Sequence, residues 1–507
     1  MQSSHNPENS MSTNGPTDAT GTLPPEVSEG ISAPFQTHEP APLKSGWIEQ
    51  LRRAIGLRPN MTFKSAASFK ARAKNLADAL LSERGEVLGT VIAHDLAQLI
   101  RHASPTELTE FANLIAEEYA PDEARLNAAI DAWRASPSAQ TITALSRTAE
   151  APRQELFRRV NMAPGGTATL VGFRKFLLSE LRTHPNLSSV DADLAHLFAS
   201  WFNRGFLEMR RIDWHSSAVV LEKLITYEAV HAIAGWDDLR RRLAADRRCF
   251  AFFHPALPDD PLIFIEVALV SHLSDKIDPI INAPMPSDAD NLALATPTYA
   301  IFYSISNCQA GLRGVSFGNF LIKQVAADLA RELPSLKIFS TLSPIPGFRS
   351  WLNASQDQLP TYIPRDLVQQ MLTATGAPNL FAALQMCAEL PEQTAQLERL
   401  YRDTLMRLAA RYITGFGLET GPRDPVARFH LGNGARVERI NWNADRSAKG
   451  MRESYGIMVN YLYDLGAIEA NHEAFANKRP VAMAKPIADL LDNGSSGLGL
   501  SLFRKPS

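Results

Sequence analysis

The chain has 507 residues, 45% of them apolar and 21% charged, with a net charge of −3. That length exceeds one ordinary domain and supplies material for substantial cores, so two domains and a tail are the expectation. The near-neutral balance gives no global field for nucleic acid or an anionic membrane, so an anionic ligand needs a local site.

Residues 1–44 are rich in Ser, Thr, Pro, Asn and Glu and read as a disordered tail. From residue 45 to 212 the pattern is helical. Apolar residues recur at helical spacing in "FKARAKNLADALLSERGEVLGTVIAHDLAQLI" (69–100), "PTELTEFANLIAEEYAPDEARLNAAIDAWRA" (105–135) and "DADLAHLFASWFNRGFLEMRRI" (191–212). Ser104 and Glu107 have capping-box spacing, with Pro105 at the first helical position.

After Asp213 the texture changes. "RCFAFFHP" (248–255), "PLIFIEVALV" (261–270) and "YAIFYSIS" (299–306) read as strands, the first two joined into an antiparallel pair by "PALPDDP". A glycine-marked loop (307–318), a helix over 319–333 and the strand "LKIFSTL" (336–342) complete a β-α-β unit with a parallel edge. Helical patterns occupy 365–375, 379–390 and 392–414. "DPVARFHLGNGARVERINWNAD" (424–445) reads as strand, turn, strand, which sets His430 on a strand, and "GIMVNYLYDL" (456–465) reads as another strand. The catalytic part is expected to span 213–470, followed by a partly flexible extension over 471–507 whose Gly/Ser-rich end frays.

Three features bear on chemistry. The loop "LRGVSFGNFLIKQV" (312–325) sets glycines before a helix N-terminus, where free backbone N–H groups suit phosphate oxygens. It resembles the pyrophosphate loop of GNAT-type acetyltransferases: Arg313 and Gly318 fit that motif, Gly314 falls at a free position, and Ser316 stands where the first motif glycine usually sits. The same residues contain "GVSFG", a formal GxSxG nucleophile turn without an HGGG-type partner, and glycine also serves β-α turns for geometry alone. The second feature is "SPIPGF" (343–348), a stiff, solvent-reachable elbow carrying the Ser343 hydroxyl at the end of a strand. The third is His430, which spacing alone cannot join to Ser343. Arg240, Arg241, Arg242, Arg247 and Arg248 are either reachable by coenzyme phosphates or a solvated helix face. Neither HExxH nor HxH occurs, and Cys249, Cys308 and Cys387 lie far apart without CxxC spacing, which points to a reducing compartment and a cytoplasmic protein. No apolar run approaches the length of a bilayer span.

"GLRGVSFGNFLIKQV", "FSTLSPIPGFRSWL", "PVARFHLGNGARVERINWNADRS" and "YGIMVNYLYDL", in this order and with "EAVHAIAGWDDLRRRLAADRRCFAFFHPALPDDPLIFIEVAL" before them, resemble the malonyl-CoA decarboxylase family over about residues 45–470. The resemblance implies a helical N-terminal domain used in oligomerisation and a GNAT-type mixed α/β catalytic domain. It implies conversion of malonyl-CoA to acetyl-CoA and CO2 with neither biotin nor metal. Carried by motif, Ser343 and His430 are the catalytic pair, and Tyr463 of the Asn-Tyr-x-Tyr motif borders the site. Arg313, Gly314, Ser316 and Gly318 fall in the coenzyme loop, with Ser316 where animal members carry an acidic residue. In this reading Ser343 orients the malonyl carboxylate, and His430 protonates the carbon that loses CO2, helped by an ordinary imidazole pKa near 6.5. A GNAT acyltransferase and a non-catalytic acyl-CoA-binding protein are the alternatives. Neither needs that serine and histidine together.

Overall fold

The structure is a computed structural model that describes residues 48, 50, 68–82, 86–286, 296–315, 321–390, 392–418 and 421–492. The tail read over 1–44, the Gly/Ser-rich end after Asp492, and Ser316 and Gly318 of the coenzyme loop lie outside the described residues.

The first part is helical. The two long amphipathic stretches each break into two helices, Phe69–Leu81 with Glu86–Arg101 and Pro105–Glu118 with Glu123–Ala135. The capping box at Ser104 is present: Glu107 N–H donates to Ser104 Oγ at 3.4 Å and Ser104 N–H to Glu107 Oε2 at 2.8 Å. Helices Ala139–Ala149, Pro152–Met162, Gly166–Glu180 and Ser188–Trp201 follow. Their apolar stripes meet around Phe111, Phe157, Phe173 and Phe198, with the Phe111 and Phe173 rings edge-on at 5.1 Å. The helical reading of 191–212 holds only to Trp201. Residues Glu208–Ile212 are a strand, because "EMRRI" pairs with "CFAFF", and sheet pairing overrides a helical pattern this short.

That strand, β1 (Glu208–Ile212), opens an eight-stranded sheet with β2 (Arg247–Phe253), β3 (Ile263–Val270), β4 (Tyr299–Asn307), β5 (Ile338–Thr341), β6 (Ser343–Pro344), β7 (Arg436–Asn441) and β8 (Met458–Tyr463). The order is β1-β2-β3-β4-β5-β8-β6, with β7 on β8. β1 to β4 run antiparallel, each to the next, and the helix Leu321–Glu332 carries the chain across to β5, which is parallel to β4. Sheet and helix share a core that includes Phe302, Phe339, Val325 and Leu329.

Two irregularities at the centre place the site. Against β3, the register of β4 shifts between Glu266↔Ser304 and Val267↔Phe302, which leaves Tyr303 as the extra residue of a bulge. On the other side, β4 and β5 stay paired only from Tyr299↔Ile338 to Phe302↔Thr341. Beyond Thr341 the chain leaves β4, and Ser343–Pro344 pairs with Val459 and Met458 of β8 instead. The two strands diverge at the bulge, which opens a gap between them.

Candidate active site

The elbow is less open than its prolines suggest. Ser343 is 6% exposed, because two residues of strand pairing hold it against β8 before Gly347 starts the helix Phe348–Ala354. Thr341 and Ser343 are two apart on an extended chain, so their side chains share a face. The Ser343 hydroxyl donates to Thr341 Oγ1 at 2.9 Å, and Thr341 Oγ1 also accepts the Tyr461 N–H at 3.1 Å.

His430 is not on a strand. It lies on the helix Pro425–Gly432, and the strand-turn-strand reading of 424–445 is corrected there. Asp424 is the N-cap, accepting the Ala427 N–H at 2.8 Å, and Pro425 takes the first position, where its missing N–H costs nothing. Ala427 and Leu431 face the core, whereas Val426, Phe429 and His430 line a cavity, as helical spacing requires. Gly434 (φ +83°) ends the segment against Ile468, whose carbonyl oxygen lies 2.1 Å from where a Cβ would stand.

This helix brings Nε2 of His430 to 3.1 Å from Ser343 Oγ, and Nδ1 lies 2.7 Å from the Tyr463 hydroxyl. The imidazole stacks on the Tyr461 ring at 4.7 Å and 22°. Tyr461 and Tyr463, two apart on β8, thus grip the same ring from its face and from one nitrogen. Directionality follows from counting donors. The serine proton is given to Thr341, so Nε2–H donates to Ser343 Oγ, and Nδ1 accepts the Tyr463 O–H. The opposite tautomer would leave the buried Tyr463 proton without an acceptor among the described residues. Burial raises the Tyr463 hydroxyl far above its usual range, so it remains a donor. Burial also pushes His430 down to about 3, so the imidazole is neutral. The ordinary pKa near 6.5 expected for this residue does not hold.

A cavity of about 260 Å³ opens beside the pair, between the diverging ends of β4 and β6. β4 contributes Phe302 to Ile305 and Asn307, and Val230 and Ile263 help close it around Ser343, Pro344 and the His430 helix. Ser304 and Ser306 donate their hydroxyls to the buried Glu228 carboxylate, at 2.8 and 3.1 Å to Oε2.

The remaining predicted residues fall elsewhere. Arg313 and Gly314 are exposed in the loop after β4 and do not line this cavity. The arginine cluster is mostly neither a solvated face nor a phosphate clamp. Arg241 and Arg247 pair with Asp246, and Arg242 with Asp238 and Glu266, all three arginines buried. Arg240 lies over the Trp214 ring and Arg248 pairs with Glu332. No group of three or more His, Cys, Asp or Glu side chains among the described residues is placed to hold a metal ion.

Residues 205–498, more than half of the chain, match the model of the malonyl-CoA decarboxylase C-terminal domain, and residues 119–202 match its N-terminal domain. The chain belongs to the malonyl-CoA decarboxylase family. The mitochondrial malonyl-CoA decarboxylase of Rattus norvegicus is 36% identical over 358 residues, 68% of this chain and 72% of that protein. The crystal structure of malonyl-CoA decarboxylase from Rhodopseudomonas palustris is 46% identical with a TM-score of 0.73, covering 83% of this chain and 100% of that one. That from Agrobacterium vitis is 47% identical with the same TM-score, covering 83% and 99%. As a malonyl-CoA decarboxylase family member the protein is a carboxy-lyase, on a helical part followed by a mixed α/β sheet.

Within that family frame, three residues around the pair went unread in the sequence: Thr341, Tyr461 and Asp424. Each had a signal. Thr341 and Tyr461 are the i−2 neighbours of Ser343 and Tyr463 on their strands, and Asp-Pro ahead of an apolar segment is a helix start.

Proposed function

We propose that malonyl-CoA loses CO2 in the cavity between β4 and β6, with Ser343 and His430 as the catalytic pair. The observation that carries this is the hydrogen-bonded series Thr341, Ser343, His430, Tyr463 at the cavity wall, buried and of defined direction. Ser343 turns its hydroxyl from Thr341 to the malonyl carboxylate and holds the breaking C–C bond perpendicular to the thioester plane. The malonyl carboxylate sets a negative charge beside the imidazole. A negative group within a few ångströms raises an imidazole pKa by about 1–3 units, so substrate binding increases the fraction of His430 that carries a second proton, and the charge that develops on the enolate as CO2 leaves increases it further. Bond cleavage then releases neutral CO2 and leaves the thioester enolate beside that imidazolium. Transfer of the proton to carbon gives acetyl-CoA and returns neutral His430. One proton is consumed per turnover, and the charges balance without an acyl-enzyme.

In the neutral imidazole Tyr463 donates to Nδ1 and so keeps the proton-bearing nitrogen facing Ser343. When the second proton arrives on Nδ1, the Tyr463 hydroxyl oxygen accepts the hydrogen bond from it, and Nε2–H is the proton given to carbon. A well-placed donor to the enolate oxygen is worth about 3 kcal/mol, and a positioned acid about 10²–10⁴-fold in rate. Arg313 and Gly314, with Ser316 and Gly318, belong in this reading to the loop that takes the coenzyme diphosphate. The reaction is proposed to need neither biotin nor metal, since the leaving group departs as CO2 and the histidine supplies the proton. Purified protein with malonyl-CoA in excess EDTA, and with avidin added, is expected to release equimolar CO2 and acetyl-CoA. Dependence on added metal overturns the cofactor reading, and unchanged turnover by Ser343→Ala overturns the assignment of the pair.

The helical part is proposed to carry self-association. Helices Glu123–Ala135 and Ala139–Ala149 bury no residue against the chain, while Trp133 and Ile142 are exposed. Double substitution of Trp133 and Ile142 by serine is expected to lower the mass seen by light scattering, and an unchanged mass refutes this. A cytoplasmic location fits Cys249, Cys308 and Cys387, all free and buried, and fractionation of cells tests it.

A further inference from the structure

The helical part and the coenzyme loop meet at one side chain. Arg174, on the helix Gly166–Glu180, is 3% exposed, and its Nη1 donates to the carbonyls of Gly311 at 2.8 Å and Arg313 at 3.0 Å. Its Nε donates to Asp191 Oδ1 at 2.8 Å, so the buried charge is balanced from the helix Ser188–Trp201. The contact is close. A Cβ on Gly311 would stand 2.0 Å from the carbonyl oxygen of Val171, on the turn before Arg174, so only glycine lets the loop seat there. On its other flank the loop is tied to the residue that precedes β3, with Cys308 N–H donating to Leu262 O at 2.9 Å.

The consequence is directional. In a trans peptide the C=O and the following N–H point opposite ways. Tethering the Arg313 carbonyl to Arg174 therefore turns the Gly314 N–H away from the helix. Gly314 is exposed, and this N–H makes no hydrogen bond to another described residue. A guanidinium suits the task, since its rigid fork can hold two carbonyls and a carboxylate at once, which an ammonium point charge does not fix.

We propose that Arg174 is a positioning residue for substrate binding: from the helical part, it holds the carbonyl side of the loop so that the amide side faces the diphosphate of malonyl-CoA. This rests on the reading of that loop as the diphosphate site. The helical part then contributes to coenzyme binding as well as to self-association.

The test compares malonyl-CoA with S-malonyl-N-acetylcysteamine, which keeps the reacting group and lacks the diphosphate. In Arg174→Gln the ratio of kcat/KM for the two substrates is expected to fall roughly ten- to a hundredfold, through KM for malonyl-CoA, the size expected for a lost buried charged hydrogen bond. Arg174→Lys, which keeps the charge beside Asp191 and guards against a folding failure, is expected to fall between. Equal losses on both substrates, or no loss, overturn the proposal, since a merely structural role moves both alike. Arg313→Glu separates the premise. If it lowers the ratio while Arg174→Gln does not, the loop binds phosphate but the brace is wrong. If neither variant changes a ratio that strongly favours malonyl-CoA, the diphosphate binds elsewhere and both readings fall.

Discussion

Nε2 of His430 lies 3.1 Å from the Ser343 hydroxyl oxygen, across 87 positions of sequence, because a short helix and a two-residue strand converge at the point where β4 and β5 part. The contact makes a pairwise prediction. Ser343→Ala and His430→Asn are each expected to lower kcat by about 10²–10⁴-fold with little change in KM. The double variant is expected to be scarcely worse than the poorer single one, because groups acting as a unit are not additive. Additive losses in steady-state kinetics would show that the two act separately.

Tyr463 and Thr341 act on this pair from its two ends. Tyr463→Phe keeps the ring and removes the donor to Nδ1, which frees His430 to hold its proton on the wrong nitrogen. The expected loss is about tenfold or more in kcat, with the melting temperature within a few degrees of wild type. Thr341→Val releases the serine proton and leaves the Tyr461 N–H unpaired, whereas Thr341→Ser restores both bonds. Recovery of kcat in the serine variant but not the valine one is the expected outcome. Equal rates in all three would remove Thr341 from the account.

Much of this was legible in the sequence, and the failures have identifiable causes. Apolar runs rich in Phe, Ile, Val and Tyr located β2, β3, β4 and β8, and the Ser104 capping box fixed a helix start to the residue. The errors came where a local pattern was short. "EMRRI" is five residues whose strand state depends on a partner some 40 positions away. "PVARFHLG" has the β-branched and aromatic content of a strand, and the Asp424-Pro425 cap outweighs it. Composition could not foresee that Arg241, Arg242 and Arg247 are buried, since the carboxylates that neutralise them come partly from another strand. The motif placed Ser343, His430 and Tyr463, but their directionality depends on Thr341 and Tyr461, which only the folded strands bring alongside.

The neutral imidazole has a consequence for stability. Burial lowers His430 from 6.5 to about 3, so the unfolded chain binds a proton that the native state refuses anywhere between those values. Stability is therefore lost as pH falls from 6.5 toward 3, by about 1.4 kcal/mol per pH unit from this group. His430→Asn removes that dependence. Denaturant titrations of both proteins are expected to show a shallower slope of stability against pH for the variant, by about one proton, in that window. Identical slopes would mean that the native histidine titrates normally. Substrate binding is expected to favour the same protonation, raising the imidazole pKa by about 1–3 units. Calorimetry with a slowly turned-over malonyl-CoA analogue, in buffers of different ionisation enthalpy, is then expected to register uptake of a fraction of one proton that grows as the pH is lowered toward about 6.

Asp424 gives the opposite sign at the other end of the same helix. Its carboxylate is fully buried, and desolvation raises it from 3.8 to about 6 despite the backbone N–H groups it caps. The native state thus holds a proton that the unfolded chain has lost between those values. The stabilisation this confers is complete below 3.8 and disappears as pH rises through 6. Asn caps a helix about as well as Asp and carries no charge to desolvate. Asp424→Asn is therefore expected to be the more stable protein at pH 8, by about 2–3 kcal/mol, with the gain shrinking toward zero near pH 4. Asp424→Ala loses the cap itself, about 1 kcal/mol, and loosens the turn that aims His430. Its kcat is expected to fall severalfold, while the Asn variant stays near wild type. Chemical denaturation at the two pH values together with kcat for both variants checks the assignment. An Asn variant less stable than wild type at pH 8 would show that the charged carboxylate, rather than its hydrogen-bonding shape, holds the helix in place.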